Sequence, residues 1–428
     1  MKKFLANKWF LAGVGIIILF TLSYILLTLN RYWQFEYFFT DNVYFDTALW
    51  KVASGLAPIV RHSALGQINI LGDHFHPTIF LFSLLYLITS QQEIVFVGMS
   101  VVYGLGAIIG LAIGFKLTKS RFATLALIVA YFLYPGTQNA LIYGFHEVNL
   151  MPLFFLLTMA GLTFNKNIIY WLGLGCLLLT KESYAVVGVT IGVFIWLSFP
   201  RKRKTAVATI VLSIIYFLLV TKFVIPSFSG RYLYGEVSLP KNLPELISRL
   251  IAPSEKLNTV FVSLASFGFL PVFNLAALPL ILQDLFLRFV FVIPGTVQYR
   301  LDYHYNLALA PILLFSSFWS LRKFDGRVFG IVVLISSFIF LRFGSPRGPL
   351  LLVLNKDFYA NSKNNQYLWD FLSRIPREGK IMTQNHFGFP LDHADVYEIV
   401  TKCDKMQEIN PDYVVVDLRK DQNPNNFV

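Results

Sequence analysis

Long apolar runs separated by short charged or Pro/Gly-rich breaks dominate the first three quarters of the chain. A helix needs about 20 apolar residues to cross a bilayer. Cutting at the breaks predicts eleven spans, at 9–28, 93–115, 121–136, 148–164, 167–180, 184–200, 205–225, 258–272, 273–290, 304–321 and 327–342. The apolar stretch 77–90 has 14 residues, too few to cross, and reads as a re-entrant or interfacial helix started by Pro77. From Gly344 the pattern changes: 380–384 and 413–418 read as strands and 364–375 as an amphipathic helix. The expectation is an all-α polytopic membrane protein. A transmembrane domain over 1–343 contains a long first outer loop at 30–92, and a small α/β domain follows over 344–428.

Composition sharpens this. Of 428 residues, 56% are hydrophobic and only 14% charged, with a mean hydropathy of +0.60. Such a chain cannot cover its apolar side chains with polar surface in water, which excludes a soluble enzyme, a disordered chain and a disulfide scaffold. Two cysteines, Cys176 and Cys403, sit in unlike settings and predict no structural disulfide. The run 9–28 follows Lys2 and Lys3, lacks a small-residue cleavage site, and reads as an uncleaved first span.

The net charge of +12 matters through its placement and implies no nucleic-acid partner. With the N-terminus cytoplasmic, the inner segments hold Lys2, Lys3, Lys8, Lys116, Lys119, Arg121, Lys166, Arg201, Lys202, Arg203, Lys204, Arg322, Lys323 and Arg327, against the single acidic Asp325. The other acidic residues before position 344 fall outside or at outer helix ends, as the positive-inside rule requires. Making 77–90 a full span would break that pattern. Eleven spans leave the C-terminal domain extracytoplasmic, in a multi-pass cell-membrane protein.

Ionisable groups gather at the outer ends of the spans. The first outer loop holds Asp41, Asp46, Arg61, His62, Asp73, His74 and His76; the next holds Tyr143, His146 and Glu147. Lys181-Glu182 lies between two short spans, Asp284 and Arg288 end another, and Arg300, Asp302 and His304 begin the next. Such groups are costly at membrane depth and face a cavity or pathway. Their one-sidedness argues for a site at the outer leaflet.

Several readings stay open residue by residue. Asp46 reads as a general base desolvated by aromatic neighbours, or as a helix-capping Asp. His74, His76, His146 and Glu147 read as ligands of a Zn²⁺ or Mn²⁺ ion, or as hydrogen-bonding partners of lipid phosphate and loop backbone. Lys181-Glu182 reads as an ion pair or as a phosphate contact. Arg288, Arg300 and His304 read as binders of a phosphate leaving group, or as side chains snorkelling to headgroups. The run 201–204 reads as a topology determinant and anionic-lipid contact.

The order of motifs resembles an uncharacterised family of bacterial and archaeal multispanning proteins. It rests on Phe45-Asp46 with Trp50, Gly72-Asp73-His74-Phe75 with Pro77, Gly144-Phe145-His146-Glu147, Thr180-Lys181-Glu182, and Tyr303-His304-Tyr305 with Pro311. The layout is also similar to the GT-C superfamily of membrane glycosyltransferases. That resemblance implies inverting transfer of a sugar from a polyprenyl-phosphate donor, at the outer membrane face, to a hydroxyl on a glycan, lipid or protein acceptor. It implies Asp46 as base, His74, His76, His146, Glu147 and Glu182 near substrate, and Lys181, Arg288, Arg300 and His304 toward the lipid phosphate. It also implies a divalent cation, Mg²⁺ or Mn²⁺, on Asp46, His146 and Glu147 where one is used. The paired acidic residues common in that superfamily's first loop are absent, since Asp46 stands five residues from Asp41. The competing classes are a transporter or lipid flippase, and a non-catalytic scaffold binding through its outer domain.

Overall fold

The computed structural model describes residues 7–418, apart from 38, 63–64, 236–237, 292–295, 325, 392 and 399–405. Lys2, Lys3, Asp325 and Cys403 lie outside the described residues. Helix α1 (Lys8–Trp33) runs for 26 residues, about 39 Å at 1.5 Å per residue, longer than a hydrocarbon core. Asn7 caps it by accepting the Trp9 N–H at 3.0 Å. The first outer segment then folds as α2 (Phe39–Ala53) and an antiparallel hairpin, β1 (Ile59–His62) with β2 (Gly66–Asn69), in which Val60 faces Ile68. Two tight 3₁₀ turns follow, Pro77–Leu81 and Ser83–Leu87, so the 77–90 segment is wound more tightly than an α-helix. Pro77 starts it, where its missing N–H costs nothing.

Helix α3 (Glu93–Leu117) is the central one: 61% of its most apolar window is buried, against 28% for α1. Small residues let neighbours close on it. A Cβ at Gly104 would stand 2.4 Å from Thr21 Oγ1 of α1, and one at Gly114 would stand 2.6 Å from Thr124 Cγ2. Helices α4 (Arg121–Leu133) and α5 (Pro135–Tyr143) form one path bent by 42°. Pro135 lacks an N–H and forces Tyr134 out of the helical region, which makes the break. A freed carbonyl there, that of Phe132, accepts Tyr24 Oη at 2.5 Å.

Helices α6 (Met151–Thr163), α7 (Asn167–Leu178) and α8 (Ala185–Ser198) are short and apolar. Helix α9 (Arg203–Leu219) belongs to a 30-residue path, Pro200–Ser229, that passes a π turn at Val220–Val224. Then come α10 (Leu243–Ile251), α11 (Glu255–Ala265), α12 (Leu278–Phe289), α13 (Asn306–Ser320) and α14 (Gly326–Phe343). Among the described residues, four helices are long and apolar enough to cross a membrane, or five with the bent pair as one. The expected spans 148–164, 167–180, 184–200 and 304–321 are shorter apolar helices. Those at 258–272 and 273–290 are α11 and α12, joined through 3₁₀ turns after Phe269, whose φ is 56°. Polar breaks such as Lys181-Glu182 end the helices before they run a full bilayer thickness.

The C-terminal part comprises α15 (Lys356–Asn364), α16 (Gln366–Leu372), β3 (Lys380–Thr383), β4 (Asp395–Glu398) and β5 (Tyr413–Val415). The strands form a parallel sheet in the order β4–β3–β5. This part docks on the end of α1. Trp369 Nε1 donates to the Trp33 carbonyl at 3.1 Å and stacks on Phe35, while Gln34 Nε2 donates to the Phe358 carbonyl at 2.8 Å.

At the α6–α7 contact a Cβ at Gly161 would come 2.3 Å from the Tyr170 backbone nitrogen. Gly161→Ala is expected to cost about 1–3 kcal/mol through forced separation of the two helices. Gly175→Ala, with open space around it, is expected to be silent. Thermal unfolding in detergent compares the two.

Candidate active site

The outer loop descends to the ends of the short helices and is tied there by pairs of ionisable groups. Lys181 Nζ donates to Glu147 Oε1 at 2.7 Å across the α6 and α8 ends. Glu182 is fully buried; its Oε1 lies 2.7 Å from His74 Nδ1, and its Oε2 accepts the Phe75 N–H at 3.1 Å. Tyr232 Oη also donates to Glu182, at 3.1 Å. Thr78 of the loop donates to the Leu179 carbonyl at 3.2 Å. Asp73 accepts Tyr234 Oη at 2.8 Å and lies 3.5 Å from His62 Nε2, and Tyr234 stacks on His74 at 4.2 Å.

The two loop histidines are polarised in opposite directions. Burial alone would lower His74, but the Glu182 carboxylate outweighs it and holds the imidazole above its ordinary range. Burial pushes His76 down to about 4, and the charge on Glu147 does not restore it. Burial would raise Asp73, yet its bond to His62, the charge of His74 and its bond to Tyr234 keep its carboxyl well below the usual range.

A second group adjoins this one. His146 Nε2 stands 3.2 Å from Asp41 Oδ2, and its ring stacks on His304 at 3.9 Å. Tyr143 and Phe45 pack around the His146 ring. Among the described residues, neither ring nitrogen of His76 or of His146 completes a hydrogen bond of good geometry, nor does His304 Nδ1. His76 is only 1% exposed. Buried polar atoms without partners are rare, and they mark a place where a ligand's polar groups fit. Asp41, by contrast, keeps 41% of its side chain exposed at this rim.

Asp46 occupies a different pocket. It is 2% exposed, accepts Gln92 Nε2 at 2.8 Å and Tyr86 Oη, and lies 2.9 Å from His393 Nε2. His393 reaches it from the C-terminal part, with its ring stacked on Trp50 at 4.7 Å. Five residues separate Asp41 from Asp46 on α2, about 140° around a helix of 3.6 residues per turn, so the two carboxylates face different pockets. Arg288 is saturated by Asp284 (3.0 Å), Asn306 (2.7 Å) and the Gln298 and Tyr299 carbonyls. It clamps α12 to the start of α13. Arg300 is half-exposed and paired with Asp302 at 2.5 Å.

His74, His76, His146, Glu147, Lys181, Glu182 and His304 are thus brought together, while Asp46, Arg288 and Arg300 lie in separate networks. No three of the described His, Cys, Asp and Glu side chains stand where they could share a metal ion. Asp46 lies in a network apart from His146 and Glu147, so the three do not converge on one point. Sequence reasoning missed Tyr86, Gln92 and His393 around Asp46, and Tyr232 and Tyr234 beside the loop histidines. Their partners are 40 to 347 residues away in the chain, and no local pattern marks them.

The architecture is mostly helical, with several apolar helices among the described residues. It is similar to the crystal structure of ArnT from Cupriavidus metallidurans in the apo state, with a TM-score of 0.55 and 10% identity, over 93% of this chain and 88% of that one. At that identity the likeness speaks for the fold alone. By its sequence, the chain belongs to the family described as Predicted membrane protein (DUF2079), whose pattern matches residues 31–426. No curated protein matches it.

Two outcomes follow from the pairing. Lys181→Ala leaves Glu147 buried and unpaired and is expected to cost about 3–5 kcal/mol, whereas Lys181→Met with Glu147→Leu is expected to restore most of the loss. Thermal unfolding of the single and double variants measures this. His76 has a folded value near 4, below that of an unfolded histidine at about 6.5. Its stabilising contribution is therefore complete above that value and lost as pH falls toward 4. His76→Asn is expected to flatten the fall in melting temperature between those pH values relative to the wild type.

Proposed function

We propose that this protein is a membrane glycosyltransferase that transfers a sugar from a polyprenyl-phosphate-linked donor to an acceptor hydroxyl. The observation that carries the reading is the convergence of one accessible carboxylate, Asp41, with the His146 ring 3.2 Å from it, the buried His304 ring stacked on His146, and the buried His76 ring, beside Lys181. The fold likeness to ArnT, a GT-C glycosyltransferase, supports the reaction class.

In this reading Asp41, rather than Asp46, is the general base. A base must reach the acceptor hydroxyl, and Asp46 is enclosed and already engaged by Tyr86, Gln92 and His393. His146 orients the Asp41 carboxylate from 3.2 Å. Asp41 takes the hydroxyl proton as the acceptor oxygen bonds to the anomeric carbon, and the bond from that carbon to the donor phosphate oxygen breaks. The electron pair leaves with the lipid phosphate and the sugar is inverted. Lys181 spends one of its three N–H groups on Glu147 and retains two for the departing phosphate. Asp46 holds α2 against the 3₁₀ turns and the C-terminal part, which positions Asp41. In this reading the N-terminus lies inside and the cleft and C-terminal part outside; the asymmetry of Lys and Arg along the sequence supports this.

The test is turnover of radiolabelled polyprenyl-phosphate hexoses and pentoses by membranes carrying wild type, Asp41→Asn or Asp46→Asn. Asp41→Asn is expected to lower turnover by about 10²–10⁴-fold without a change in melting temperature. Asp46→Asn is expected to lower the melting temperature and retain turnover in the folded fraction. Full turnover by Asp41→Asn would remove it as the base, and donors that neither turn over nor bind the wild type would overturn the transferase reading.

A further inference from the structure

A second polar cavity lies at the opposite ends of the helices that carry the cleft. Helix α8 begins just after Glu182, and α13 begins just after His304. They run 14 and 15 residues, about 21 Å and 22 Å, before ending at Ser198 and Ser320. Around those ends is a cavity of about 370 Å³, within the range of small-molecule sites.

Its lining is mixed in a particular way. Ser198, Asn274 and Ser320 supply polar side chains, and Ser198 Oγ, Asn274 Nδ2 and Ser320 Oγ have no hydrogen-bond partner. Asn274 is 7% exposed and Ser320 2%, so water does not freely satisfy them. Arg322 and Lys323 stand at the mouth, both exposed, with the Arg322 guanidinium 4.2 Å above the Trp319 ring. Leu197, Phe273 and Leu275, all exposed, continue the wall as apolar surface. Arg201, Arg203 and Lys204 are exposed on the segment that follows α8.

We infer that this cavity holds the phosphate head group of an anionic phospholipid, on the membrane face opposite the cleft. The helix ends of α8 and α13 place about half a negative charge each at the rim, which alone would repel an anion. Two full positive charges, Arg322 and Lys323, outweigh them. Asn274 and the two serines donate to phosphate and glycerol oxygens, and the apolar wall continues toward the acyl chains. A zwitterionic lipid carries a compensating ammonium and gains less from the cations. The inference is independent of the transferase reading, since no residue of the cleft lines this cavity.

The test uses the full-length protein in neutral detergent. Native mass spectrometry follows titration with palmitoyl-oleoyl phosphatidylglycerol, with the matching phosphatidylcholine, and with inorganic phosphate as competitor. A photoreactive phosphatidylglycerol reports the position by its cross-linked peptide. The wild type is expected to bind phosphatidylglycerol more tightly than phosphatidylcholine and to cross-link in the peptide containing Trp319. Arg322→Gln with Lys323→Gln is expected to weaken phosphatidylglycerol by about tenfold and to leave phosphatidylcholine unchanged. Both changes are at exposed positions and spare the fold; Asn274→Leu provides the buried variant, with its melting temperature measured alongside. Equal phosphatidylglycerol affinity in wild type and the double variant, or cross-linking elsewhere alone, would overturn the inference. Displacement by inorganic phosphate at comparable concentration would overturn the lipid in favour of free phosphate.

Discussion

A carboxylate buried beside a membrane costs several kcal/mol unless a partner matches it, and at the cleft of this protein the partners of Glu147 and Glu182 come from other segments of chain. Glu147 is matched by Lys181 from the α7–α8 junction, and Glu182 by His74 and the Phe75 N–H from the first outer loop. Those two matches fix where the loop must lie. Once His74 is bound to Glu182, His76 two residues on is carried into the interior beside Phe45, and Thr78 reaches the Leu179 carbonyl. The cleft is a consequence of neutralising the helix ends.

The same constraint sorts the acidic residues of α2. Asp46 is enclosed, and its charge is answered by Tyr86, Gln92 and a histidine of the C-terminal part. Asp41 keeps its exposure and pairs with His146. The helix thus carries one enclosed carboxylate that ties three segments and one exposed carboxylate, at positions about 140° apart. The C-terminal part thereby has a physical link to the cleft, because His393 supports the helix that presents Asp41.

Hydropathy alone made the long helices legible: α1, α3, the path through α9 and α14 are apolar helices of 18 to 30 residues. It also showed that ionisable groups collect at one end of the bundle. It did not show which of them meet, because ion pairs such as His393 with Asp46 join residues with no local relation. Periodicity could not separate a short apolar helix from a full span either, since both are apolar all round. The saturated state of Arg288 was equally hidden. Its acidic partner Asp284 is visible at helical spacing four residues earlier, but Asn306 and the two carbonyls arrive only with the fold.

The short helices explain why the polar groups sit as they do. Helices α7 and α8 have 12 and 14 residues, about 18 Å and 21 Å, while a hydrocarbon core is about 30 Å thick. Two helices that meet at Thr180-Lys181-Glu182 after so few residues are each shorter than that core, and a junction of such helices inside a bilayer lies at hydrocarbon depth. Backbone and side chains at that depth need protein partners in place of water. The outer loop supplies them by turning inward through tight 3₁₀ windings, whose rise per residue is greater than that of an α-helix, and by lending His74 and Thr78 to the junction. A polar recess sunk beside hydrocarbon is where a phosphate fixed to a lipid chain can be met without leaving its bilayer. The geometry that solves the pairing problem at the helix ends also sets the depth at which such a substrate would be handled.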